Sequence, residues 1–233
     1  MTLENEIRDY RLKGDSITIG NLAYNEVVKE VLSLHNEEFR GLSHIEDNYG
    51  YRLGEQISRL NVPKALNINT IIRERFPQLK MQVLSFSETL KYWSLISKED
   101  IKYLSDTNSL VIYPNQERNE ELRKVVLDIL EIKHVEIPLI VSGLGVKRAD
   151  NNYGFTFIET DYTERLEASF LSRDEKLIYS EGEVVISNEG INVWTALGQS
   201  GLRKVSFGLF GIYTWNIFLS DTDDNTLIKV LQK

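Results

Sequence analysis

Hydrophobic positions in the first part of the chain repeat with the period of an α-helix. Tyr24, Val28, Val31 and His35 lie three or four residues apart, so they share one face of a predicted helix that Gly41 would end. The same period predicts further helices over residues 49–61, 69–76, 87–96 and 117–132. The N-terminal part of the chain is therefore expected to be mainly helical.

Short apolar segments between these helices are typical of β-strands. They cover residues 81–86, 110–114 and 136–143, and Ser87 and Asn115 are N-cap candidates for the helices that follow the first two. The last two strands enclose a helix, and this order predicts a βαβ unit with parallel pairing. We expect a small α/β layer here.

After about residue 150 the period changes from that of a helix to the period of two that is typical of strands. All four prolines precede residue 139, whereas nine of the fourteen glycines lie between residues 143 and 211. The predicted strands are residues 153–159, 165–171, 176–180, 182–187, 191–196, 203–209, 212–219 and 226–231. We therefore predict an α+β protein, with a helical and α/β domain over residues 1–149 and an antiparallel sheet or sandwich domain over residues 150–233.

Charge and composition narrow the classes of function. Of the net charge of -8, most lies in residues 150–233, which carry 13 Asp and Glu against 7 Lys and Arg. A surface of that sign repels phosphate backbones, so nucleic acid is a disfavoured partner. The chain has no cysteine, which excludes disulfides and thiolate zinc sites.

The first residues and the longest uncharged stretch bear on location. The N-terminus lacks a basic region followed by an apolar one, so we expect no secretory signal. The longest uncharged stretch, residues 205–220, is shorter than the roughly 20 residues that a transmembrane helix needs. We therefore expect no transmembrane segment and a cytoplasmic location.

Two of the three histidines lie in the stretch HNEEFRGLSHIED, residues 35–47, among four carboxylates. His35 and Glu38 are neighbours on a helix surface, and His44 could fold back after Gly41 to complete a set of nitrogen and oxygen ligands for a divalent metal. The alternative is a buried, hydrogen-bonded histidine, because His35 continues the apolar face of its helix. We predict no cofactor and keep a divalent metal at these residues as the alternative.

Two carboxylate patterns suggest a hydrolase. Strand alternation would place Glu159 and Asp161 on one face, close enough to act as the acid and base that glycosidases need; the alternative is a solvated strand edge. The triplet from Glu131 to Lys133, with Asp106 upstream, resembles the metal-binding set of many nucleases by pattern only. Its place at a helix end favours a surface role.

The aromatic residues of the last third suggest recognition. Twelve of the chain's 23 aromatic residues lie after residue 150. A chain with three histidines and no cysteine offers little catalytic equipment, so we predict a non-enzymatic binding or assembly protein with a protein partner or self-association. The binding candidates are Trp194, Trp215, Tyr213 and Tyr153, for which the alternative is core packing. The competing prediction for the whole chain is a metal-dependent hydrolase, nuclease-like or glycosidase-like.

Overall fold

The structure is a computed structural model that describes residues 10–11, 17–21, 26–42, 62–79, 81–96, 105–115, 118–172, 175–195, 200–208, 210–214, 219 and 227–231. In these ranges it contains four α-helices: α1 (Glu26–Glu38), α2 (Val62–Arg75), α3 (Phe86–Lys91) and α4 (Glu120–Ile129). The strands are β1 (Tyr10–Arg11), β2 (Ile17–Asn21), β3 (Met81–Val83), β4 (Ser105–Ile112), β5 (Leu139–Ser142), β6 (Gly145–Arg148), β7 (Phe155–Ile158), β8 (Glu164–Glu167), β9 (Lys176–Ser180), β10 (Glu183–Ile186), β11 (Ile191–Trp194), β12 (Leu202–Gly208), β13 (Gly211–Tyr213) and β14 (Leu227–Leu231).

The strands form three sheets. The largest has eight strands in the order β10-β9-β11-β13-β12-β4-β5-β8, a second has the order β1-β2-β14-β3, and β6 pairs with β7. Every pair is antiparallel except β11 with β13. The fold is therefore α+β with a large, mainly antiparallel sheet, as the sequence predicts.

The eight-stranded sheet is buried on both faces at its centre. On one face, Val111 and Val205 pack in a core with Phe86 of α3. On the other face, Leu110 and Leu202 pack in a second core. That second core includes residues of α2 and α4, so helices cover both sides of the sheet. Strand β12 is buried along its whole length for this reason.

Each strand predicted after residue 150 has a counterpart, and so does the helix that ends before Gly41. The predicted strand 165–171 ends at Glu167 and is followed by a 3-10 helix, Ser169–Ser172. Of the predicted strand 212–219, residues 215–218 lie outside the described residues.

Gly41, three residues beyond the end of α1, has a left-handed φ of 85°, which glycine adopts without strain. The helix predicted over residues 49–61 lies outside the described residues. Helix α2 begins earlier than predicted and contains Pro63 in its first turn, where the missing N–H of proline costs no hydrogen bond.

The predicted βαβ unit is wrong. Strands β4 and β5 enclose α4 but pair antiparallel, with Ile112 opposite Leu139. The connection therefore leaves and re-enters the sheet at the same end, as a long hairpin does. The order of elements did not reveal this, because a connection that contains a helix can return to either end of a strand.

The N-caps also differ from the predictions. Ser85, not Ser87, caps α3. The N-cap residue of α4 is Asn119, not Asn115, and its side chain makes no capping hydrogen bond. Ser85 forms a capping box with Glu88, in which each side chain accepts a hydrogen bond from the other residue's backbone N–H. This box fixes Glu88 at the start of α3.

The boundary predicted between residues 149 and 150 falls in the connection from β6 to β7, which pair with each other. The eight-stranded sheet takes β4 and β5 from before this position and the rest of its strands from after it. No helix in the described part of the chain is long and apolar enough to cross a membrane.

Candidate functional site

A polar pocket lies where the end of α2, strand β3 and helix α3 meet the eight-stranded sheet. Its cavity volume is about 370 Å³. Small-molecule sites in proteins have volumes of roughly 300–1,000 Å³. Every lining residue is charged, polar, a tyrosine or a glycine: Arg73, Gln82, Ser85, Ser87, Glu88, Lys91, Tyr92, Asn108, Ser142, Gly143, Tyr162, Glu164 and Tyr179. A wall of this kind suits a polar ligand.

A chain of hydrogen bonds runs along one wall of the polar pocket. Arg73 Nη2 donates to Gln82 Oε1 over 2.8 Å. Gln82 Nε2 donates in turn to Glu88 Oε1. The other carboxylate oxygen, Glu88 Oε2, accepts from the backbone N–H of Ser85 over 3.1 Å. Both oxygens of Glu88 are therefore held by the protein itself.

The wall made by α3 is fastened to the sheet. Asn108 Nδ2 donates to the carbonyl of Val83 over 3.0 Å, and the N–H of Phe86 donates to Ser109 Oγ over 2.9 Å. Ser109 Oγ and Ser142 Oγ lie 2.6 Å apart and share a hydrogen bond. Strands β3, β4 and β5 are thereby held together, which gives the polar pocket a preformed floor.

Arg73 reaches the polar pocket beneath an aromatic ring. Its Cζ lies 3.9 Å from the ring centroid of Tyr162, a distance typical of a cation–π contact. Arg73 Nη1 is buried and has no hydrogen-bond partner among the described residues. Burial lowers the pKa of Arg73, while Glu88, Tyr162 and Glu164 act to raise it. The guanidinium remains charged, because arginine does not lose its proton in proteins at neutral pH.

The turn that carries Tyr162 is held against Gly143. Thr160 Oγ1 donates to the carbonyl of Gly143 over 2.6 Å and accepts from the N–H of Tyr162 over 3.1 Å. Gly143 has a φ of 75°, and a Cβ there would overlap the carbonyl oxygen of Tyr162. Only glycine allows this close approach. Gly143 thus positions Tyr162 over Arg73.

A second cation, Lys91, lies between two further rings. Its Nζ is 5.3 Å from the ring centroid of Tyr92 and 5.8 Å from that of Tyr179. Both distances allow a cation–π contact. The polar pocket therefore contains two side-chain cations, each placed over a tyrosine face.

The carboxylates predicted as an acid and base lie elsewhere. Strand β7 ends at Ile158, so Glu159 and Asp161 follow the strand and do not alternate along it. Both side chains are exposed. The premise that they share a strand face is therefore wrong. Glu131 has a left-handed φ of 57° and follows α4 at the surface, outside any strand.

Of the three predicted metal ligands, the structure describes His35 and Glu38. His35 is fully buried, and its Nδ1 lies 3.0 Å from Asn67 Nδ2, which also donates to Glu38 Oε2 over 3.4 Å. An amide nitrogen only donates, so His35 Nδ1 accepts here. Burial raises the pKa of Glu38, against the hydrogen bond from Asn67. His44 lies outside the described residues.

Within the described residues no group of three or more histidine, aspartate or glutamate side chains could hold a metal ion. Asn67 bridges His35 and Glu38 instead. These two residues therefore have the geometry of the buried, hydrogen-bonded alternative that the sequence allows. The metal prediction, which includes His44, stays a prediction.

Three of the four predicted binding aromatics are described, and they lie in two different environments. Trp194 and Tyr213 lie opposite each other on β11 and β13. Trp194 is 42% exposed and donates from Nε1 to the carbonyl of Phe210, itself 67% exposed. Tyr153 packs edge-on against Phe155, with ring centroids 6.2 Å apart. Trp215 lies outside the described residues. Trp194 and Tyr213 are therefore neighbours, while Tyr153 is in the second core region.

Sequence reasoning missed most of the polar pocket. Arg73, Gln82 and Tyr162 come from three separate parts of the chain, and no spacing links them. The one available signal is the pattern Ser-x-x-Glu at Ser85 and Glu88, which is typical of a helix start. It would have placed Glu88 but not its partners.

Comparisons of the whole chain with protein families, with curated proteins and with solved structures found no match.

Proposed function

We propose that the protein is a non-enzymatic binding protein and that the polar pocket takes a small polar ligand. The observation that carries the proposal is the buried Arg73 Nη1 without a described partner, in the wall of a preformed polar cavity. An unpaired buried donor of this kind costs about 1–3 kcal/mol, which a ligand acceptor would offset. Pockets with a few convergent polar groups are the usual place for ligands.

The state of the other pocket groups favours binding over catalysis. Ser85 Oγ accepts from the N–H of Glu88 over 3.3 Å, and Ser142 Oγ is paired with Ser109 Oγ. Glu88 is held at both oxygens. The lining contains no histidine among the described residues, and histidine is the side chain that most often acts as a general base.

The test is native mass spectrometry with elemental analysis on protein purified gently from the cytosolic fraction, where we expect it. We expect a mass above 26.9 kDa by that of a small ligand. Ser87→Tyr fills the polar pocket and should remove the ligand. Ser94→Tyr adds the same ring at an exposed position outside the pocket and should retain it.

The proposal fails if the wild-type chain is bare and no member of a polar small-molecule library stabilises it. The same spectra test the remaining predictions. A multiple of the chain mass would support self-association, and a second protein mass would support a protein partner. A stoichiometric metal would support the competing prediction of a metal-dependent hydrolase.

A further inference from the structure

The hydrogen bonds that the wall of the polar pocket already makes, and the one it lacks, indicate the chemistry of its ligand. Glu88 accepts from Gln82 and from the N–H of Ser85. Its carboxylate oxygens are therefore already engaged by the protein. Among the buried side-chain atoms of the described wall, the one without a partner is a donor, Arg73 Nη1. A ligand that satisfies this donor brings a hydrogen-bond acceptor.

The aromatic faces of the polar pocket are also engaged by the protein. The ring of Tyr162 covers the Arg73 guanidinium, and the rings of Tyr92 and Tyr179 face the ammonium of Lys91. A cationic ligand would have to compete with these two side chains for the same π faces. The arrangement therefore disfavours a cation and leaves a neutral or anionic acceptor.

The charged residues of the wall favour an anionic acceptor over a neutral one. Arg73 and Lys91 attract a negative group, and an arginine binds the two oxygens of a carboxylate through parallel N–H donors. Glu88 and Glu164 line the same cavity, so a doubly charged group would meet more repulsion than a singly charged one. A single carboxylate fits better than a phosphate.

We propose that the ligand of the polar pocket carries a carboxylate that Arg73 binds through Nη1, with Lys91 as the second cation. This inference rests on the proposed function. The Tyr162 ring covers the guanidinium, and its side chain is 50% exposed, so it can turn towards solvent without unpacking a core. That movement opens Arg73 to the carboxylate.

The test is titration of the full-length, ¹⁵N-labelled protein with acetate and benzoate, followed by NMR at constant ionic strength. Acetamide and benzamide are neutral probes of the same shape, and inorganic phosphate is the dianion. We expect the carboxylates to bind and to shift the Arg73 Nε–Hε resonance. The amides should bind roughly ten- to a hundredfold more weakly, as for loss of one charge-assisted hydrogen bond.

Arg73→Gln should weaken carboxylate binding by a similar factor, while Arg75→Gln, an exposed neighbour on α2, should not. Equal binding of amides and carboxylates would overturn the inference, and so would a preference for phosphate. If no probe binds but the purified chain still carries a neutral ligand that Ser87→Tyr removes, this inference fails and the proposed function stands. A bare chain that none of these probes binds, and that no member of the polar small-molecule library stabilises, would contradict both proposals.

Discussion

Two arginines, Arg73 and Arg123, each leave one buried guanidinium nitrogen without a described hydrogen-bond partner, but their surroundings differ. Arg123 is only 4% exposed, and its Nη2 donates to the carbonyls of Tyr113 and Pro114 over 3.3 and 3.2 Å. Arg73 is half-buried and donates to a side chain, Gln82. Arg123 therefore holds backbone in place, whereas Arg73 is part of a wall made of side chains.

The cavities beside the two arginines also differ in how firmly the protein holds the groups that line them. The cavity next to Arg123, of about 530 Å³, runs along α4 and is lined largely by exposed charged side chains such as Lys124 and Asp128. The polar pocket next to Arg73 has a floor of paired, buried or half-buried groups, including Asn108 and Ser142. An unpaired nitrogen thus suggests a ligand only where the groups around it are already fixed.

The largest expected effect is the loss of stability in Arg123→Ala. Two carbonyls at the end of β4 would lose a charged donor, at about 1–3 kcal/mol for each buried group. We expect the free energy of unfolding in urea to fall by roughly 2–4 kcal/mol. Lys124→Ala, at the exposed neighbour, should change it by less than about 0.5 kcal/mol. A loss below about 1 kcal/mol in Arg123→Ala would contradict the structural role of Arg123.

The second-largest effect compares the glycine whose turn contacts Tyr162, Gly143, with a glycine in a turn that makes no close contact, Gly182. Gly143→Ala places a Cβ against the carbonyl of Tyr162 at a left-handed φ, so we expect a loss of roughly 2–3 kcal/mol. Gly182→Ala is the matched control, because φ is also left-handed there but a Cβ meets no atom within 4 Å. Its expected loss is about 1 kcal/mol. Equal losses in urea unfolding would show that the close approach to Tyr162 contributes nothing.

A smaller effect on stability is expected for Arg73→Gln. The variant loses the hydrogen bond to Gln82 but also removes the unpaired Nη1, and these changes act in opposite directions. We expect the free energy of unfolding to fall by about 0.5–1.5 kcal/mol, clearly less than in Arg123→Ala. Arg75→Gln is the control on the same helix. A loss as large as that of Arg123→Ala would make Arg73 a structural residue like its counterpart.

The sequence predicted the elements better than their arrangement. The strands after residue 150 were found because alternation is a local pattern, and α4 was found because Leu122 and Val126 recur at helical spacing. The direction of β5 beside β4 was missed, since it depends on where a long connection returns. That choice is made by packing across the sheet, which no short pattern records.

The candidate site was predicted less well for the same reason. His35 was correctly placed on the buried face of α1, a position that periodicity shows. Arg73 and Tyr162 meet only because Gly143 lets the turn of Tyr162 approach the sheet. Neither residue has a neighbour in sequence that indicates this contact. Sequence patterns therefore do not predict contacts between residues that lie in separate turns and helix ends.

The smallest effect tests the contact of Arg73 with the ring of Tyr162, which has no counterpart at Arg123 among the described residues. In a double-mutant cycle of Tyr162→Ala with Arg73→Gln, we expect a coupling of about 0.5–1 kcal/mol, since the ring is half exposed. Tyr162→Phe keeps the ring and should keep most of the coupling. A coupling near zero would mean that the ring only covers the guanidinium. If the coupling is about 0.5–1 kcal/mol, carboxylate binding should tighten in Tyr162→Ala, because the contact that opposes turning the ring aside is lost; with no coupling, binding should stay nearly unchanged.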